Sequence, residues 1–150
     1  MTWICNTFLY SGLRIHERML EEIRKDTVAT FLLRKSGITE VQLDTLLASK
    51  EEGNLDYKRT LREKRKVSKG AFSRTLKQAR QNLEASLYTI FLLSYLDLIN
   101  QSDVNHLVRN TRMLSELKEA RPAIEDQMRV IEAMEDYVQS FASGKRKLIV

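Results

Sequence analysis

Breakers and crosslinkers are nearly absent from this 150-residue chain, which has one cysteine, Cys5, one proline, Pro122, and five glycines. A lone cysteine excludes an internal disulfide framework and any multi-cysteine zinc site, and it reads as a structural thiol in a reducing compartment. With so little glycine and proline, the tight turns that hairpins and sandwiches require cannot be made in number. No segment alternates apolar and polar residues at a period of two, and there is no fixed-period repeat or low-complexity tract. Long hydrophobic runs are missing as well. The most apolar stretch, 87–99, is interrupted by Thr89, Ser94 and Asp97 and falls short of the ~20 residues that a membrane crossing needs. It reads as a buried helix, so membrane insertion is not expected. The first residues, with Trp3, Ile4, Phe8 and Leu9, carry neither a basic leader nor a small-residue cleavage site, so a cytoplasmic location is expected instead of secretion.

What is present favours helix. Leu, Arg, Lys, Glu and Ala abound, and 43% hydrophobic residues suffice for a real core in a chain of this size. Apolar residues recur at three- and four-residue steps from Leu9 through Leu13, Leu20 and Ile23 to Phe31, which predicts one helix ending near Gly37. Thr39 and Gln42 form a capping-box pattern that starts the next helix, with Val41, Leu43, Leu46 and Leu47. Residues 51–54 read as a polar connector, after which Asp56 is placed to cap a basic helix reaching about Lys66. Ser68 is an N-cap for a long helix whose apolar positions Phe72, Leu76, Ala79, Leu83, Leu87 and Ile90 continue to about Asn100. Its second half is apolar nearly all round, which predicts burial in the fold or in a dimer. Ser102 is expected to cap a further helix. Pro122 is expected to open the last one, whose stripe is Ile124, Met128, Ile131, Met134, Val138 and Phe141, with Gly144 as a stop. The expected fold is all-α, a compact multi-helix arrangement forming a single domain over 1–150.

Charge is distributed unevenly. The net charge is +5, yet the window 57–80 alone carries +9, with Glu63 its only acidic residue, which leaves −4 for the rest of the chain. A local basic block attracts a polyanion through counterion release and steering, whereas an ordinary solvated helix face intersperses both signs.

Within that block, the segment from Leu61 to Leu76 reads LREKRKVSKGAFSRTL. On Val67-Ser68, Phe72-Ser73-Arg74 and Leu76 it resembles helix-turn-helix regulators, including the promoter-reading region of sigma-like factors and, without an evident wing, winged-helix proteins. The resemblance covers about 20 residues and implies a helix-turn-helix over about 56–83. In it Val67 packs the turn, Ser68 caps the recognition helix, and Phe72 and Leu76 anchor that helix. Arg62, Arg65 and Lys66 depart from the usual small residue, leucine and glycine.

Groove geometry leads to the same expectation without the resemblance. A recognition helix buries one side and presents the other to the major groove. Phe72, Leu76, Ala79 and Leu83 would be the buried side, leaving Lys69, Ser73, Arg74, Lys77 and Arg80 outward. Arg74 and Lys77 suit base edges, with Ser73 and Gln78 as weaker donors. Lys58, Arg59, Arg62, Lys64, Arg65 and Lys66 would grip phosphates. The expected partners are double-stranded DNA and a second copy of the chain, with 102–143 as a helical packing or homodimerisation segment.

Other signals carry less. His16 and His106 have no ligand spacing, so no metal is expected. Glu17, Glu21, Glu22, Glu132, Glu135 and Asp136 fit intrahelical charge pairing. Without a phosphate loop or nucleophile elbow, neither enzymatic activity nor a cofactor is expected. Two alternatives use the same residues: an architectural or chromatin-type DNA binder without sequence choice, and a helical adaptor whose basic face meets an acidic protein. The leading expectation is a transcription regulator that is nucleoid-associated when bound to DNA.

Overall fold

The computed structural model describes residues 19–62 and 67–143, and among these every regular element is a helix and no strand occurs. Its contacts group the chain into two compact units, Met1–Tyr95 and Leu96–Val150, where the sequence pattern alone is read as a single domain. Each unit is described by itself.

In the first unit, residues 19–25 are helical. The single helix expected up to Gly37 is interrupted at Asp26, whose backbone is extended and whose carboxylate accepts from the Ala29 N–H at 2.8 Å. Asp offers the backbone this local alternative, which makes it a better cap than an interior helical residue. Asp26 therefore starts a new helix, α1, Thr27–Lys35. The earlier part of the expected stripe, Leu9 to His16, lies outside the described residues.

Helix α2, Glu40–Lys50, begins with the expected capping box. Gln42 N–H donates to Thr39 Oγ1 at 3.2 Å, and Thr39 N–H donates to Gln42 Oε1 at 3.1 Å. Gly53 follows at φ 125°, and a Cβ there would lie 2.5 Å from the Tyr57 ring. Both the backbone angle and the close ring call for glycine. Helix α3, Leu55–Leu61, is capped by Asn54, which accepts from the Tyr57 N–H at 2.9 Å. Asp56 thus stands in the first turn instead of at the cap, and α3 stops at Leu61, short of the Lys66 expected. Helix α4, Lys69–Tyr95, starts where predicted, with Ser68 Oγ accepting from the Ala71 N–H at 3.1 Å.

These helices meet on Ala48, Leu61 and Phe72, all essentially inaccessible, with Tyr57 and Leu76 packed around them. Further along α4, Ala79 is buried, and the Asn82 amide donates to the Gly37 carbonyl at 2.8 Å and to Gln42 Oε1 at 3.2 Å. Beyond Asn82 the helix is not buried within the chain, which leaves the dimer half of the expectation open. Leu83, Leu87, Phe91 and Tyr95 are exposed, and the helix ends at Tyr95. The reason is length. At 1.5 Å per residue α4 spans about 40 Å, whereas α2 spans about 16 Å and α3 about 10 Å, so neither can cover its second half.

In the second unit, α5, Gln101–Ala120, and α6, Ile124–Ala142, form a helical hairpin. Its connection turns at Arg121, which adopts the left-handed conformation and donates its N–H to the Leu117 carbonyl at 3.1 Å. The α5 cap is Asn100 instead of Ser102, because Asp103 completes a capping box with Asn100. Pro122 precedes α6 by two residues instead of opening it, and its carbonyl accepts from the Gln127 amide at 2.9 Å.

The inward face of α6 is also rotated from the predicted stripe. Ile131 and Met134 are buried and Phe141 half-buried as expected, but Ile124, Met128 and Val138 are exposed. Val130 and Tyr137 take their side because the Tyr137 ring sits near His106 of α5 and Phe141, with centroids 6.2 and 6.3 Å away.

The Tyr137 hydroxyl is buried without a hydrogen bond. Burial, and then the charge of Asp103, raise its pKa above the ordinary 10.0. A raised folded-state pKa means the folded unit holds the neutral phenol more tightly than the unfolded chain does. Its contribution is therefore complete below about pH 10 and is lost as pH rises through the folded-state value. Urea unfolding followed across the alkaline range should show Tyr137→Phe losing less stability than the unsubstituted protein above about pH 10. Equal alkaline slopes would contradict this.

Candidate nucleic-acid interface

Helices α3 and α4 are held together by more than their apolar core. Arg59 Nε donates to the Val67 carbonyl at 2.8 Å, across the connection between the helices, and its Nη1 pairs with Asp56 at 2.9 Å. Lys69 at the start of α4 lies 3.5 Å from the same carboxylate. Asp56 thus gathers one cation from each helix.

Three residues expected on phosphates make internal contacts. Lys58 Nζ donates to the Ser49 carbonyl at 2.8 Å, a contact that satisfies one of the open carbonyls in the last turn of α2 and complements the negative end of its dipole. Arg59 is 11% exposed and engaged as described above. Arg62 lies against Asp44 of α2, Nε to Oδ2 3.6 Å, with side chains 13% and 8% exposed. That Nε makes no hydrogen bond, so the attraction is that of an ion pair at slightly more than hydrogen-bond distance. All three cations turn inward because α3 is short and packs against both α2 and α4, and their long stems reach polar groups on α2 and on the connection before α4.

Lys64, Arg65 and Lys66 lie outside the described residues. Ser68 is present as a cap, with its oxygen committed to the Ala71 N–H. Lys69, Ser73, Arg74, Lys77 and Arg80 are exposed on α4. At about 100° per residue, Gly70, Arg74, Lys77 and Gln81 lie opposite the inner face of Phe72, Leu76 and Ala79, and Ser73, Arg80 and Lys69 lie together on one flank. No acidic residue occurs between Lys69 and Leu83. The fold brings together the outer half of the predicted set and assigns the α3 cations to holding the helix pair.

Asp44 is the residue the sequence argument passes over. Its signal is its position: it precedes Ala48 by four residues, so a carboxylate falls on the inner side of α2 and requires a buried cation. Beside it, a half-open cavity of about 320 Å³ is lined by Leu20, Arg24, Glu40, Val41, Asp44 and Arg62. Each of its carboxylates faces an arginine, with Arg24 Nε donating to Glu40 at 2.7 Å. Among the described residues no group of three or more His, Cys, Asp or Glu side chains could hold a metal ion, and no helix is long and apolar enough to cross a membrane. In comparisons with protein-family models, curated proteins and solved structures, nothing matches this chain.

Removing one partner of a nearly buried ion pair leaves an uncompensated charge, a loss of roughly 3 kcal/mol, whereas replacing both can be close to neutral. Asp44→Asn should therefore lower unfolding free energy by about that amount, and Arg62→Met added to it should restore most of the loss in a denaturant double-mutant cycle. Simple additivity of the two substitutions would show that the pair does not act as one.

Proposed function

We propose that this chain binds double-stranded DNA and is a sequence-specific transcription regulator, with the first half of α4 as its recognition helix. One observation carries the reading: the exposed side of α4 from Lys69 to Gln81 presents cations and neutral donors with no acidic residue of its own, Asp56 of α3 pairing among these only with Lys69 at its start, while its other side is seated on Leu61 and Ala48 through Phe72. An α-helix is one of the few elements that fit the major groove, and a rigid seat is what allows its side chains to discriminate bases. Arg74 and Lys77, near the centre of the face, would meet base edges, where arginine and lysine favour guanine. Lys69 and Arg80, on one flank, would meet phosphates, together with Lys64, Arg65 and Lys66. The resemblance of Val67 to Leu76 to helix-turn-helix regulators supports the same assignment.

The deciding experiment is retention of a random duplex pool by the purified protein at near-physiological salt, followed by sequencing. Enrichment of a motif supports the regulator. Tight retention without enrichment would replace it with an architectural binder, and no retention would leave a helical adaptor with a basic face. Given a motif, Arg74→Ala should relax preference at one base position. Lys69→Ala should instead weaken all sequences alike and lower the salt slope by about one. Identical effects of the two would refute the division of roles.

Gly70 provides a separate test. A Cβ at this position meets nothing within 4 Å, so the fold has no steric need for glycine there, although glycine in a helix costs roughly 1 kcal/mol relative to alanine. Close approach of the α4 backbone to DNA would explain it. Gly70→Ala should raise the unfolding midpoint while lowering DNA affinity, and unchanged affinity would show that the backbone does not approach the duplex there.

A further inference from the structure

The second half of α4 carries a surface that the DNA-binding face does not use. Leu83, Leu87, Ile90 and Phe91 follow i, i+4, i+7 and i+8 spacing, which draws one stripe along the helix, and all four are exposed. Tyr88 and Tyr95 stand beside it, 70% and 86% exposed, with Phe91 at 63% and edge-on to Tyr88. Soluble proteins rarely leave so large a contiguous apolar patch open to water.

We infer that this stripe is the contact surface for a second copy of the same chain, packed antiparallel against its own equivalent about a two-fold axis. Three observations select that occupant. The first is charge: from Ala85 to Leu96 the sequence ASLYTIFLLSYL contains no ionisable acid or base other than its tyrosines. In an isologous interface each patch meets itself, so any net charge would repel its own copy, and a neutral stripe is free of that penalty. The apolar residues exposed on α6, Ile124, Met128 and Val138, are by contrast interspersed with Glu125, Arg129, Glu132, Glu135 and Asp136.

The second observation is area. An aromatic side chain buries about 150–250 Å². Three largely exposed rings together with the aliphatic residues offer on the order of 800 Å², which is one partner's share of an interface of standard size.

The third is geometry, and it rests on the proposed DNA-binding role. The stripe centre near residue 89 and the recognition centre near residue 75 lie on one continuous helix, about 21 Å apart at 1.5 Å per residue. Antiparallel pairing about the stripe centre doubles that distance. With the helix axes crossing at about 50°, the two recognition centres come to about 35–40 Å apart, close to the ~34–36 Å between successive major grooves on one side of a duplex. The line of Leu83, Leu87, Ile90 and Phe91 is also turned about a third of a turn from the Arg74 and Lys77 face, and Tyr88 and Tyr95, which share the azimuth of that face, lie about 16 Å or more beyond Lys77 along the helix, so a partner centred near residue 89 leaves that face open.

Sedimentation velocity of the full chain at tens of micromolar, without DNA, tests the interface. The unsubstituted protein is expected to run as a dimer. Leu87→Glu and Phe91→Glu, both at exposed positions, should each run as monomers with unchanged helical circular dichroism. Val138→Glu on α6 should remain dimeric. A monomeric unsubstituted protein would overturn the inference, because the stripe would then be covered within one chain or left open, and so would a dimer that survives Phe91→Glu or is lost in Val138→Glu. A dimer that retains no duplex would leave the interface standing and remove the DNA-binding reading. Where duplex is retained, paired half-sites one helical turn apart should bind at least tenfold more tightly than a single half-site, and Phe91→Glu should abolish that gain.

Discussion

The rotation of α4 about its own axis depends on Phe72. This ring is buried on Leu61 of α3 and Ala48 of α2, the point at which all three helices meet. Turning α4 by one residue would bring Ser73 or Ala71 into that seat and put the phenyl ring into water. Burying a side chain of this size contributes roughly 1.5–3 kcal/mol, enough to select one rotation over its neighbours. Once Phe72 is seated, helical periodicity alone directs Arg74 and Lys77 outward and Leu76 and Ala79 inward. The chemistry of the outer face is therefore a consequence of packing on the inner one.

Charge along the same stretch is divided by the fold into two jobs. Lys58, Arg59 and Arg62 reach a carbonyl at the end of α2, the connection before α4, and Asp44. They fasten α3 between its neighbours. Arg74, Lys77 and Arg80 remain in solvent, where their field acts at a distance, and Lys69 is exposed beside the Asp56 carboxylate. A cation within hydrogen-bond reach of an internal acceptor lowers its energy by staying there, and one on the far side of a helix has no such acceptor. Depth, set by helix phase, separates the two groups.

The long helix joins two environments without a break. Its first half is pinned by Phe72, Ala79 and the Asn82 amide, and its second half extends past the reach of α2 and α3 with its apolar residues exposed. Because helical hydrogen bonds run continuously from Lys69 to Tyr95, any surface that organises the second half also positions the first. That rigid connection makes the apolar stripe relevant to the basic face.

Local chemistry was legible in the sequence. The Thr39–Gln42 capping box, the Ser68 cap, the connector at 51–54, the helical character of the described residues and the inward Phe72, Leu76 and Ala79 all follow from spacing and side-chain type within a few residues. Legibility was lost wherever two local solutions competed. Asn54 and Asp56 could each cap α3, as could Asn100 and Ser102 for α5, and the winner is decided by which side-chain oxygen meets the right N–H. Asp26 resembles an interior helical residue until its carboxylate turns onto Ala29. The basic block could be counted from the sequence but not sorted, because charge is additive along a chain whereas depth depends on neighbours distant in sequence.

The sequence by itself determined that the chain is helical, where most helices begin, and that its positive charge is concentrated in one window, since these follow from interactions over about four residues. Tertiary structure decided which cations face inward, how α6 is rotated around Tyr137 and that α4 outruns its partners, because those outcomes depend on the relative lengths and phases of helices packed against one another.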